Sequence, residues 1–184
     1  MKNENVKIII LSGKARAGKD TTAQYIKEYC ESQNQKVINL QFSYYIKMYA
    51  KFITNWDGSE ETKPRSLLQE LGTEVIREQI DKYFFIKRII EDIKVCSFYA
   101  DIITISDARL PEELDEITKA CPNVLKINII RPSTDNNLTA NEKNHITVTG
   151  LNDYHDYAYE MINNGTLDDL KNKTIDIIKN TLYL

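Results

Sequence analysis

Residues 12 to 22 read Ser12-Gly13-Lys14-Ala15-Arg16-Ala17-Gly18-Lys19-Asp20-Thr21-Thr22, directly behind the apolar run Val6-Lys7-Ile8-Ile9-Ile10-Leu11. Gly-x-x-x-x-Gly-Lys between a buried strand and a helix is the spacing of a phosphate-binding loop. Such a turn aims backbone N–H groups, here including those of Ala15 and Ala17, and the positive end of the helix dipole at one point. Gly13 and Gly18 let the main chain come close to a polyphosphate, and Lys19 reaches for its β- and γ-oxygens. The position after the lysine, where a Ser or Thr hydroxyl usually meets magnesium, is Asp20, and hydroxyls follow at Thr21 and Thr22. Either Asp20 enters the Mg²⁺ shell as a hard oxygen donor, or it serves as an early-helix anion while Thr21 bonds a phosphate. Both readings stay open at this level.

Two further segments carry chemistry. In Asp101-Ile102-Ile103-Thr104-Ile105-Ser106-Asp107-Ala108-Arg109, an apolar strand delivers an acid at its C-terminal end, the edge where open α/β sheets gather their ligands. Asp107 there can hold a water of the magnesium shell, and Arg109 can cap a phosphate with a planar fork of donors. In Pro64 to Arg77, helical spacing puts Leu67, Leu68, Leu71 and Val75 on one face and Arg65, Gln69, Thr73 and Arg77 on another, so one face is core and the other is free to bind.

These residues need a scaffold, and the rest of the chain supplies one. Short apolar runs alternate with longer helical patterns, the signature of a parallel sheet covered on both faces. The pattern predicts strands near 6–11, 36–41, 101–106, 124–130 and 158–162. Helices are predicted near 18–33, 43–54, 64–80, 82–97, 111–121 and 166–182. Residues 55–63 read as a polar loop, and 132–157 as a longer irregular stretch that holds both histidines, His145 and His155. With 184 residues, 42% of them hydrophobic, the expectation is one domain over 1–184 with a sizeable core.

Composition excludes several classes of partner. A net charge of −3 gives no pull toward nucleic acid or anionic membrane, so small molecules are the expected partners. No stretch approaches the length of a membrane span, and the first residues show no signal-peptide pattern. Cys30, Cys96 and Cys121 are isolated thiols, which fits a reducing cytoplasm better than a disulfide framework.

Together these segments resemble the deoxynucleoside monophosphate kinases of tailed phages and their bacterial relatives, in the P-loop nucleotide kinase superfamily. The resemblance rests on Leu11-Ser12-Gly13 through Gly18-Lys19-Asp20-Thr21-Thr22-Ala23, Arg65 with Leu68-Gln69-x-Leu71-Gly72-Thr73, Ser106-Asp107-x-Arg109 and Arg131-Pro132. It continues through His145-Ile146-Thr147, Gly150-Leu151 and Ile162-Asn163-Asn164-Gly165-Thr166-Leu167. Val148 stands where the family pattern has an acid, no proline precedes Lys47, and the stretch between 48 and 64 is shorter than in larger phage members.

The resemblance implies a three-layer α/β fold, a five-stranded parallel sheet with helices on both faces, an acceptor-binding helical region at about 43–97 and a small lid at about 131–150. It implies transfer of the γ-phosphoryl of ATP to a nucleoside or deoxynucleoside 5′-monophosphate, giving the diphosphate and ADP. The acceptor oxygen is already anionic, so the work is alignment and neutralisation of charge rather than proton abstraction. Lys19, the loop amides and Mg²⁺ would hold ATP. Arg65, Arg77 and Arg109, with Lys47, Gln69 and Thr73, would hold the acceptor. Arg131 resembles the position that contacts ATP as the lid closes, and Asn164 and Gly165 fall near the expected adenine. His145 has the family context; Lys14, Arg16 and Lys143 add charge near the phosphates or lie on the surface. Relatives reuse this site on other phosphorylated acceptors, so a phosphomevalonate- or dephospho-coenzyme A-like substrate stays an alternative, as does an ATP-binding module without turnover. The base, the sugar preference and the choice between monomer and homodimer are not readable here.

Overall fold

The computed structural model describes residues 5–132 and 150–182. Its strands are β1 (Lys7–Ser12), β2 (Val37–Leu40), β3 (Ile102–Ala108), β4 (Val124–Ile130) and β5 (Tyr159–Ile162). They form one all-parallel sheet in the order β2-β3-β1-β4-β5. The helices are α1 (Lys19–Ser32), α2 (Phe42–Thr54), α3 (Arg65–Glu70), α4 (Phe84–Cys96), α5 (Pro111–Ala120) and α6 (Leu167–Leu182). Five parallel strands between two helical layers is the architecture expected from the sequence.

The sheet is buried on both sides, which is why β1 reads as an unbroken apolar run. Its alternation appears only in three dimensions. Ile8 and Ile10 face one core with Ile103, Ile105, Phe85, Ile89 and Leu114. Ile9 and Leu11 face the other with Ile26, Ile102, Ile127, Ile129, Leu170 and Ile178. All four residues of this run are fully buried, and that fixes the sheet's central strand beneath the glycine-punctuated loop that follows it.

Two differences from the sequence reading shape the site. Strand β3 runs to Ala108, so Asp107 sits inside the strand rather than just beyond it. The helix expected over 64–80 is α-helical only through Glu70 and continues as a π-helix, Leu71–Ile80. Its wider i→i+5 bonding rotates side chains off the four-residue stripe, a register change common at functional sites. Leu68 lines the cleft instead of the core, whereas Leu71 is buried as expected. The bulk of the expected lid, including His145 and Lys143, lies outside the described residues. His155 is exposed.

Candidate active site

Loop 13–18 owes its shape to two glycines with positive φ, +135° at Gly13 and +108° at Gly18, a region costly for other residues. A Cβ at Gly13 would run into the Ile129 carbonyl of β4, and one at Gly18 would come within 2.7 Å of the Asn163 side-chain nitrogen. Gly18 is the N-cap of α1, and no side chain caps that helix. Its first-turn amides thus remain available to an anion.

Lys19 opens α1 and is only 8% exposed. Its ammonium donates to the carbonyls of Gly13 and Lys14, each at 2.8 Å, so the lysine lies along the inside of the loop. Burial, and next the positive charge of Arg109, lower its pKa from the usual 10.5 to about 8, against the opposing pull of Asp20 and Asp107. These four side chains, taken from α1, β3 and the turn after β3, therefore share one electrostatic neighbourhood.

A polar ladder ties the loop to the sheet edge. Thr104 donates to Asn39 at 2.8 Å, Asn39 donates to Ser106 at 3.3 Å, and Gln41 donates to Ser106 at 2.9 Å. Ser106 and Gln41 in turn each donate to the same oxygen of Asp20 at 3.1 Å. Asp20 is exposed and keeps its second oxygen outside this ladder. Mg²⁺ is held by one or two carboxylates together with phosphates and several waters. The donor set at Asp20 fits that chemistry, and among the described residues no group of three or more His, Cys, Asp or Glu gathers around a common point.

Asp107 has contacts beyond the metal-shell role expected of it from the sequence. Its two carboxylate oxygens accept the backbone N–H groups of Phe42 and Ser43 at 2.8 and 2.9 Å. It thereby caps α2 from β3, the strand paired with the β2 strand that leads into that helix, a charge-assisted arrangement that also opposes the helix dipole. Thr22 also departs from expectation, being buried in the core with a hydroxyl that has no partner. Thr21 remains half-exposed on the first turn of α1.

A cleft of about 340 Å³ joins the two sides. It is lined by Ala15, Arg16, Lys19 and Asp20 of the phosphate loop and α1, and by Lys47, Arg65, Gln69, Thr73, Arg77 and Arg109 of later elements. Arg65 pairs with Glu60 at 2.6 Å, both side chains more than half exposed, a pairing weak enough to exchange for a ligand phosphate. Arg77 is 12% exposed and pairs with the buried carboxylate of Glu113. No carboxylate among the described residues pairs with the Arg109 guanidinium. Arg131 follows β4 on the exposed surface and, like Asn164 and Gly165, lies outside this cleft.

Three participants escaped the sequence reading. Gln41, at the end of β2, was accessible from the sheet-edge rule. Glu113, at the third position of α5, carries the signal of a helix cap but none of its ion pair. Asn163 rather than Asn164 braces the loop, donating to the Ala17 carbonyl at 2.8 Å. Nothing in an Asn-Asn pair says which one points inward.

Against known proteins, residues 32–174 match the family model for deoxynucleotide monophosphate kinase. The chain belongs to that family. Its activity is accordingly ATP-dependent phosphoryl transfer to a nucleoside 5′-monophosphate. No curated protein matches the chain. Among solved structures it is similar to an APS kinase, CysC, of Mycobacterium tuberculosis (TM-score 0.54, 9% identity, 95% of this chain and 98% of that one). A sugar kinase from Janibacter sp. HTCC2649 gives a TM-score of 0.57 at 10% identity, with 96% and 94% covered. A gluconokinase from Sinorhizobium meliloti 1021 gives 0.52 at 11%, with 98% and 97% covered. At such identities these structures share the P-loop kinase fold alone. The family match begins inside α1, after the phosphate loop, so the loop stands on its own geometry and the acceptor half on the family.

Proposed function

We propose that the cleft holds two nucleotides with their phosphates facing each other. The loop amides of Gly13, Ala15 and Gly18, with Lys19 and Thr21, hold ATP, while the Ala17 N–H shapes the loop by donating to the Lys14 carbonyl at 3.1 Å; Arg131, Asn164 and Gly165 flank its nucleoside end. Arg65 and Arg109, with Lys47, Gln69, Thr73 and Arg77, hold the monophosphate. The supporting observation is a single cleft lined both by the buried P-loop lysine and by arginines from three places in the fold, Arg65 on α3, Arg77 on the π-helix and Arg109 after β3. A second anion pocket is what a monophosphate acceptor needs and what a mere ATP sensor does not.

Mg²⁺ bound with ATP would be held through Asp20 and would offset charge on the phosphoryl oxygens. The chain's own contribution is alignment. Arg109 lies beside Lys19 closely enough to depress its pKa, so the two cations bracket the space between donor and acceptor phosphates. The acceptor oxygen is anionic throughout and needs no base, and Asp107 holds α2 and its Lys47 in place by capping. The chain works as one domain over 1–184, with 43–97 as the acceptor half, on free nucleotides in the cytoplasm; among the described residues no helix is long and apolar enough to cross a membrane.

The test is a coupled ADP-formation screen over ribo- and deoxynucleoside monophosphates, with Lys19→Ala and Arg109→Ala as controls. At least one monophosphate is converted to its diphosphate, and Lys19→Ala loses on the order of 10²–10³ in rate. Full activity of Lys19→Ala would remove the assignment of Lys19 and its loop to phosphoryl transfer.

A further inference from the structure

We propose that Glu113 is a positioning residue for the acceptor phosphate, one buried carboxylate that aims Arg77 and fixes the turn carrying Arg109. Glu113 is 2% exposed. One of its oxygens accepts from the Arg77 guanidinium, and the other accepts the backbone N–H of Arg109 at 2.7 Å and of Leu110 at 3.1 Å. Two arginines remote in sequence, one on the π-helix and one just past β3, are therefore referred to a single group at the start of α5. All three residues line the same cleft.

The chemistry of the pair gives this arrangement its purpose. A carboxylate beside an incoming phosphate would repel it, but both oxygens of Glu113 are turned to N–H donors and its charge is matched by Arg77. Burial, with the nearby Asp107 charge, pushes the Glu113 carboxyl above its usual range against the pull of Arg77 and the two amides. The guanidinium is planar, and Arg77 also lies over the Phe85 ring, 5.4 Å from its centre. With one edge on Glu113 and one face on Phe85, the remaining N–H donors have a fixed direction, which is the preorganisation that bidentate phosphate recognition rewards. Arg77 lies in the π-helical segment, and its guanidinium meets the first turn of α5 at Glu113.

This inference rests on the acceptor-pocket reading above, and the experiment separates the two. Steady-state kinetics of the full chain are compared for wild type, Glu113→Gln, Arg77→Ala and the double variant, with melting curves to show that each is folded. Glu113→Gln is expected to raise the acceptor KM about tenfold or more, as loss of a charge-assisted bond does, and to leave the KM for ATP within about twofold. The double variant is expected to fall short of the product of the single effects, because Glu113 acts through Arg77. An acceptor KM within about twofold of wild type, an ATP KM that rises in step, or multiplicative effects would overturn the proposal while leaving the acceptor pocket intact. A wild type that phosphorylates no monophosphate overturns the pocket reading and the proposal with it. If Glu113→Gln does not fold, the Arg77 Nη–H resonances of the wild type decide: slow solvent exchange supports the clamp, and exchange as fast as that of an exposed arginine refutes it.

Discussion

Binding of ATP takes up a proton, and the site fixes the pH window. Lys19 titrates near 8 in the free protein because its ammonium is removed from water and sits near Arg109. The lowered pKa means that folded, unliganded protein holds fewer protons at this position than the unfolded chain between about pH 8 and 10.5. From this group alone, stability of the free protein therefore rises with pH across that window. The gap from 10.5 corresponds to roughly 3 kcal/mol. A polyphosphate on the loop supplies the negative charge the ammonium lacks and restores its pKa toward or above 10.5. Proton uptake per ATP bound is then about 0.1 at pH 7, about 0.5 at pH 8 and about 0.9 at pH 9. Phosphate oxygens lose their last proton near pH 6, so they offset the small uptake at pH 7 and contribute little at pH 8 and 9. Isothermal titration calorimetry of ATP binding in buffers of different ionisation enthalpy reads this number directly. ATP affinity should also weaken toward tenfold per pH unit above about 8, and Lys19→Ala should abolish both effects. No uptake at pH 9 in wild type would refute the reasoning, because it would mean that the lysine is not desolvated or does not reach the phosphates.

Other expectations follow from single contacts. Gly13→Ala forces a side chain onto a backbone at φ +135° and into the Ile129 carbonyl; it should lower stability by more than about 1–2 kcal/mol in chemical denaturation and remove ATP binding. Arg109→Ala should raise the acceptor KM by about 1.5–3 kcal/mol, 10- to 150-fold, with the ATP KM nearly unchanged; parallel loss of both would show that the acceptor and ATP sites are assigned wrongly. Asp107→Asn loses the charge that caps α2 and should cost about 1–2 kcal/mol of stability by urea titration. Asn163→Ala frees the Ala17 carbonyl and should weaken ATP binding several-fold while the acceptor KM holds, checked by fluorescence titration with an ATP analogue.

The sequence determined the sheet, the phosphate loop and the family. An apolar run followed by glycines at a fixed spacing has few other solutions, since the residue types themselves set burial and backbone freedom. The helix-strand alternation likewise determined five parallel strands, because parallel neighbours require crossovers. The tertiary structure decided which polar groups serve a ligand and which serve the protein. Asp107 reads as a metal-side acid, yet it meets the amides of α2, a partner 64–65 residues away. Arg77 reads as the fourth member of a stripe, but it lies in a π-helix, invisible to a 3.6-residue period, and pairs with Glu113. Asn163 and Asn164 are chemically identical, and only the position of β5 against the loop chooses between them. Local patterns constrain what a residue is able to do, while the long-range pairing of donors with acceptors sets what it does.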